Sequence, residues 1–439
     1  MRIVAFALTI LAFLSFSTLV ISATSSGILR RTGQPAATLI SLKVSKAPTM
    51  DADFTDPAWA EATSITVTTS GGSGTISVMV KSVYTDTDLF FLVEWNDPTM
   101  SMTRSGSWTW NGTSWVTTDL TQSEDRVAFL WNINMSDFYS TGCMAKCHPQ
   151  YEEAGSFLDN PGETADTWHM KAARSLGVIS ASQSETLTID SATHEVTKGT
   201  IMMNGYLDDK YLSYEDKANL PLPDGGRHGD GGSSTYSHNR NADKTAPLYM
   251  ETDPANYIDA MILRQSEIDG GETIEVETAT VEQITNSWNK YVQFGAVIPE
   301  RILTTPSGSR GDVMQSAAWS DGTWTSELKR ALVTKTDGVI NSDDIQFTDL
   351  TASYGFSIAV MDNTGGEAHS TAGTTVYNLV FSEMVSETVS ETVSETVSET
   401  VSEIGIGIGS TFLLLTIGAI TITIWAIITL TVINRKRKN

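Results

Sequence analysis

Apolar residues fall in compact or alternating stretches along most of the chain, at 75–83, 88–95, 126–133, 200–203, 273–280, 291–298, 323–332, 354–361 and 375–381. These stretches are rich in Val, Phe, Tyr and Trp, and Gly, Asn, Asp and Ser separate them. A period of two with turn residues between runs is the signature of antiparallel strands. Neither a strand–helix–strand rhythm nor a glycine-rich dinucleotide loop interrupts it. The fold expected is mainly β, an antiparallel β-sandwich with helical and long-loop insertions. One insertion spans 138–195, in which the spacing of Trp168, Lys171 and Ala172 predicts a short helix over 164–176. A second, 209–257, is full of Gly, Asp, Asn and Pro and has few residues able to build a core of its own. Long loops on a rigid sandwich are where binding sites are usually carried.

The two ends break this pattern. Met1-Arg2, an apolar run over 3–21 and Ser22-Ala23 describe a secretory signal peptide, residues 1–23, against the alternative of a retained anchor. Residues 404–433 are apolar and uncharged, long enough for one C-terminal transmembrane helix, and run into Arg435-Lys436-Arg437-Lys438 in a basic tail, 434–439. Between fold and span lies a low-complexity Val-Ser-Glu-Thr stalk, 382–403. This organisation predicts an extracytoplasmic domain over 24–381, tethered to the lipid bilayer of the cell membrane by a single pass, with its basic C-terminus cytoplasmic. Asn111-Gly-Thr and Asn134-Met-Ser fit the N-glycosylation pattern.

Charge narrows the partners. The chain of 439 residues carries 28 Lys plus Arg against 52 Asp plus Glu, a formal net charge of −24, nearly all of it within 24–381. A surface so acidic repels phosphate backbones, and a nucleic-acid binder is excluded as a working idea.

The only two cysteines sit in Cys143-Met-Ala-Lys-Cys147-His148. Two thiols with a histidine directly after the second are the elements of covalent haem c attachment, in which the imidazole takes one axial position of the iron. Three residues separate the cysteines here in place of the usual two, so the attachment loop needs an extra bulged residue. A disulfide in an exported chain and a zinc site completed by a distant histidine are the alternatives.

A longer set of motifs carries a family resemblance. Asp51-Ala-Asp53 with Trp59, Trp95-Asn-Asp97-Pro98-Thr99, Glu124-Asp125-Arg126-Val127, 142–148, Asp166-Thr-Trp168-His169-Met170-Lys171-Ala172, Asn204-Gly205 with Asp208-Asp209, and the later 319–332, 344–347 and 357–363 occur in order. Together they resemble the haem-binding domain of the ethylbenzene dehydrogenase gamma-subunit type, over roughly 46–381. The resemblance implies a β-sandwich electron-transfer subunit holding one haem b between methionine and lysine. It also implies an iron-sulfur partner and a molybdenum partner of the dimethyl sulfoxide reductase type. The added cysteine pair and His148 make haem c the reading adopted from the sequence, with haem b the alternative, one per chain.

With His148 on one face of the iron, the second ligand is expected from His169, with His369, Met170 and Lys171 as alternatives. On a helix only one of 169–171 points at the iron. The tryptophans Trp108, Trp110, Trp115, Trp131 and Trp168 either pack on the porphyrin edge or fill the core, and Trp95 and Trp131 suit the core. The function expected is a membrane-anchored cytochrome passing single electrons to a redox partner protein, a molybdenum oxidoreductase or a membrane cytochrome complex, without turnover of its own. Two alternatives stand beside it: a haem b-binding gamma-like subunit of a molybdenum oxidoreductase, and a non-haem carbohydrate-binding or adhesion module that presents exposed tryptophans to sugars.

Overall fold

A computed structural model of the chain describes residues 35–104, 106–118, 123–142, 158, 160–214, 228–364 and 369–382. The chain divides into two compact units, Met1–Glu383 and Met384–Asn439, and every described residue belongs to the first.

Among the described residues fifteen strands make one large folded sheet. In chain order they are β1 (Thr38–Lys43), β2 (Ser64–Gly71), β3 (Gly74–Tyr84), β4 (Asp88–Asn96), β5 (Arg126–Asn132), β6 (Thr164–Lys171), β7 (Ser180–Gln183) and β8 (Thr200–Tyr206). There follow β9 (Asp208–Ser213), β10 (His228–Gly229), β11 (Met314–Ser320), β12 (Thr323–Ala331), β13 (Tyr354–Met361), β14 (Ser370–Thr371) and β15 (Tyr377–Ser382). Their order is β10-β9-β6-β5-β13-β14-β2-β3-β4-β12-β11-β8-β7, with β1 and β15 bridging β3 and β13. The sheet folds back on itself, because Phe91 of β4 packs 5.8 Å from Phe129 and 5.7 Å from Trp131 of β5, although β4 and β5 are not paired. Trp168 of β6 completes this aromatic centre, 4.9 Å from Trp131. Alternation along β4 sends Phe91, Val93 and Trp95 to this core and Phe90 and Leu92 to a second cluster under Trp59. The Trp59 indole donates to Glu327 Oε1 at 2.8 Å, which ties the segment before β2 to β12.

Several expectations need correction. The sheet is mixed, because β1 runs parallel to β15 and to β3, with Ser41 opposite both Phe381 and Ser82. Periodicity within one strand fixes which face is buried but carries no information on partner direction, so the parallel bridge is invisible in the sequence. Residues 164–171 form a strand where a helix was expected. Residues 165–171 pair with β5, and 164–169 with β9 on the other side. Residues buried on both faces lose the alternation that would have marked them as a strand. In the opposite sense, the expected strands 273–280 and 291–298 give way to a short strand, Thr273–Glu275, and a helix, Val281–Phe294. Thr280 and Gln283 form a reciprocal capping box, Gly295 ends the helix with φ 69°, and Ile284, Ser287 and Tyr291 make the buried stripe.

Among the described residues no helix is long and apolar enough to cross a membrane. The span expected at 404–433 lies outside those residues, as do the leader and most of the stalk. The transmembrane helix, the bilayer as partner and the single-pass cell-membrane placement are therefore not part of the structural account.

Candidate functional site

Strands β5, β6 and β9 lie side by side and present two faces of different chemistry. Cross-strand pairing aligns Val127 with Met170 and Phe129 with Trp168, so Met170 and Trp168 enter the main core. The alternate residues Thr167, His169 and Lys171 stand on the opposite face, next to Asp208 and Lys210 of β9 and Arg126 of β5. One end of that face is apolar, where Leu130, Ala165 and Leu212 pack under Met135, Phe138 and Leu158.

The rest of this face is buried and charged. The carboxylate of Asp208 pairs with Lys171, with Lys210 at 3.3 Å and with Arg310 at 2.8 Å. Burial alone would raise its pKa, but the three cations outweigh that and hold it well below the usual carboxylate range. Glu124 is likewise fully buried, and Arg174 at 2.5 Å, Arg126 at 3.4 Å and Arg104 at 3.8 Å overcome desolvation to bring it to about 2. A third carboxylate, Glu300, meets Arg301, Arg104 at 3.9 Å and His238 at 2.7 Å. Burial, followed by Arg301 and Arg240, depresses His238 to about 4, so it is neutral at pH 7.

Among the described residues eight basic side chains, Arg104, Arg126, Lys171, Arg174, Lys210, Arg240, Arg301 and Arg310, thus surround three carboxylates. Tyr236 lies at their centre, with the Arg174 and Arg301 guanidinium carbons 5.4 and 5.3 Å and Lys171 Nζ 5.7 Å from its ring centroid. Burial and the neighbouring Arg104 and Arg174 lower Arg301 to about 9, as expected where cations crowd one another. The Nε–H groups of Arg104, Arg301 and Arg310 have no hydrogen-bond partner among the described residues. In a chain of net charge −24 this is a concentrated cationic surplus, partly buried and edged by half-exposed His238. Such a surface suits an anion that presents planar oxygen pairs, as carboxylates do.

The expected site residues divide as follows. Cys143, Cys147 and His148 lie outside the described residues, directly after Gly142. Gly142 is held against the loop before β15, where a Cβ would come 2.6 Å from the Gly373 carbonyl oxygen. His169 and Lys171 share the cationic face, and Lys171 is engaged with Asp208. Met170 points into the core on the other side of the sheet, which separates it from its two neighbours far more sharply than a helix would. His369 precedes β14 and accepts a backbone hydrogen bond from Gly72 at 3.2 Å. The tryptophans are mainly structural: Trp95, Trp108, Trp131, Trp168, Trp319 and Trp324 are all buried, which leaves little indole surface for sugars. Sequence reading missed the arginines, because they come from six separate segments and no local spacing joins them.

The membrane-anchored cytochrome is corrected on the same grounds. The side-chain groups suited to a metal ion among the described residues are Asp97, Asp125 and Asp362, and Asp166, Asp209 and Asp344, with no cysteine or histidine among them. No described helix is long and apolar enough to supply the membrane anchor that this reading required. The described structure is that of a β-rich module consistent with a non-catalytic role.

Among solved structures, the fold is similar to a family 9 carbohydrate binding module from Caldicellulosiruptor kristjanssonii in complex with cellotriose, at 9% identity and TM-score 0.27, covering 80% of this chain and 96% of that one. The same module in complex with glucose gives 7% identity and TM-score 0.27, over 79% and 96%. Likeness at this level carries no functional inference. No curated protein matches the sequence. Residues 56–372, which include β2 to β14 and every residue of the cationic face, match the ethylbenzene dehydrogenase family, and the chain belongs to that family.

Proposed function

We propose that the protein is a non-catalytic haem-holding module of the ethylbenzene dehydrogenase family, taking haem b on the outer face of β5, β6 and β9. The observation that carries this reading is the cationic surplus around Tyr236, next to His169 and beside an apolar patch on the same face. A haem has an apolar ring edge and two carboxylates, and each finds its counterpart there. Arg174, Arg301 and Arg104 would hold the carboxylates, and the ring edge would lie towards the apolar end of the face. His169 would ligate the iron. Lys171 is the lesser candidate, since Asp208 favours its protonated form and an ammonium cannot ligate iron. When bound, haem supplies reversible one-electron exchange, and the protein's part is to bind, orient and shield it.

Purification from haem-supplemented cells tests the reading. A red protein with a Soret band, whose pigment passes entirely into acid acetone, is the expected result, and His169→Ala should shift that band. A colourless protein that also fails to take up added haemin would refute it, and glycan binding by that colourless form would favour the carbohydrate-binding alternative.

A further inference from the structure

Three sequence segments that the proposed function leaves unused meet on the far side of Glu124. Asp97 follows β4, Asp125 precedes β5 and Asp362 follows β13, and one carboxylate oxygen from each lies within 4.8 Å of the other two. Asp97 and Asp125 are 0% exposed, whereas Asp362 is partly open to solvent. Asp125 is oriented by hydrogen bonds from the Ser101 backbone at 2.7 Å, the Asn363 backbone at 3.2 Å and the Trp324 indole at 3.2 Å. Asp97 differs: its Oδ1 accepts from the Thr99 backbone at 3.3 Å, but its buried Oδ2 has no partner among the described residues. The side-chain oxygen of Asn363 also lacks one, while its amide donates to Thr99 Oγ1 at 2.9 Å.

The charges closest in effect to Asp97 and Asp125 are like charges. Asp97 feels Asp362 and Glu195, and Asp125 feels Asp97 and Asp362. The second carboxylate group, at Asp166 and Asp344, has the Arg330 guanidinium 3.8 and 3.6 Å away and so carries its own counter-charge. Buried like charges persist only if protons or a cation neutralise them. Oxygen donors alone, with one edge open to water, match a hard divalent ion with a flexible shell.

We propose that Asp97, Asp125 and Asp362, with the Asn363 side-chain oxygen, bind a calcium-class divalent cation that clamps the ends of β4 and β13 to the start of β5. The clamp stands next to the cationic face, because Glu124 turns towards Arg174 and Asp125 towards the cation.

Terbium luminescence on the chelator-treated chain tests this, because the Trp324 indole touches Asp125 and lies close enough to sensitise a bound lanthanide. The expected result is tryptophan-excited terbium emission that calcium displaces, together with a melting temperature raised by calcium and lowered again by chelator. Asp97→Asn and Asp362→Asn should each lose the emission and the calcium-dependent shift. In chelator Asp97→Asn should melt no lower than wild type, since it relieves repulsion. Asp344→Asn should keep both responses. Absence of both responses in the wild type would overturn the proposal in favour of neutralisation by protons. So would responses that survive Asp97→Asn and Asp362→Asn, or that vanish with Asp344→Asn alone, which would place the cation at the second group.

Discussion

Asp208 shows what a single side chain does on the cationic face. Fully buried, it faces Lys171, Lys210 and Arg310, and replacing it by Asn would leave three cations without their shared counter-charge. Breaking a buried ion pair by removing one partner costs about 3–5 kcal/mol. Asp208→Asn should therefore lower the urea midpoint at pH 7 by a comparable free energy, and a variant as stable as wild type would remove Asp208 as the organiser of the face. The sign of the pH effect follows from its depressed pKa. The native state holds the carboxylate ionised where the unfolded chain would protonate it. The stability it contributes is complete above the ordinary carboxylate range and drains away as pH falls below it. The variant should lose less stability than wild type on acidification. At this scale the sequence was informative in part. His169 and Lys171 stood out as candidates for a shared site, whereas Arg301, Arg310 and Tyr236 had no local motif to mark them.

Elements are decided by pairing and caps as much as by periodicity. The strands expected at 354–361, 88–95 and 126–133 appear as β13, β4 and β5 with boundaries shifted by at most a residue. They are rich in aromatic or β-branched residues and flanked by turn residues. β6 was read as a helix because both of its faces are buried, and its chemistry on the two sides, Met170 in the core and His169 on the charged face, follows only once the strand is recognised. The helix Val281–Phe294 carried a readable signal in Thr280 and Gln283, three residues apart before an apolar stripe, which the aromatic content around Tyr291 obscured. Thr280 Oγ1 accepts from the Gln283 backbone at 3.2 Å. Thr280→Ala should cost about 1 kcal/mol of stability, read as a shift in the denaturant midpoint, and should leave ligand binding unchanged because none of the residues named on the cationic face belongs to this helix. An unchanged midpoint would mean that the helix end is held by tertiary packing alone.

On the scale of the whole molecule, the folded sheet sorts charge. An acidic chain of net charge −24 gathers six arginines, Arg104, Arg126, Arg174, Arg240, Arg301 and Arg310, beside β5, β6 and β9 and sets uncompensated carboxylates at the strand ends nearby. Composition predicted repulsion of polyanions and gave no sign of the local cationic pocket, because composition averages over positions that folding separates. The parallel placement of β1 between β3 and β15 was hidden because periodicity within a strand does not encode the direction of its partners. The central claim is that this pocket recognises the two carboxylates of a haem. It is tested most directly by titrating the purified chain with haemin and with haemin dimethyl ester, identical in ring and iron but without the acids, and following the Soret band. The account predicts one-to-one binding of haemin and affinity weaker by at least about a factor of ten for the ester, the cost of leaving charged hydrogen bonds unmade. Equal affinity for both, or no binding of either, would contradict it.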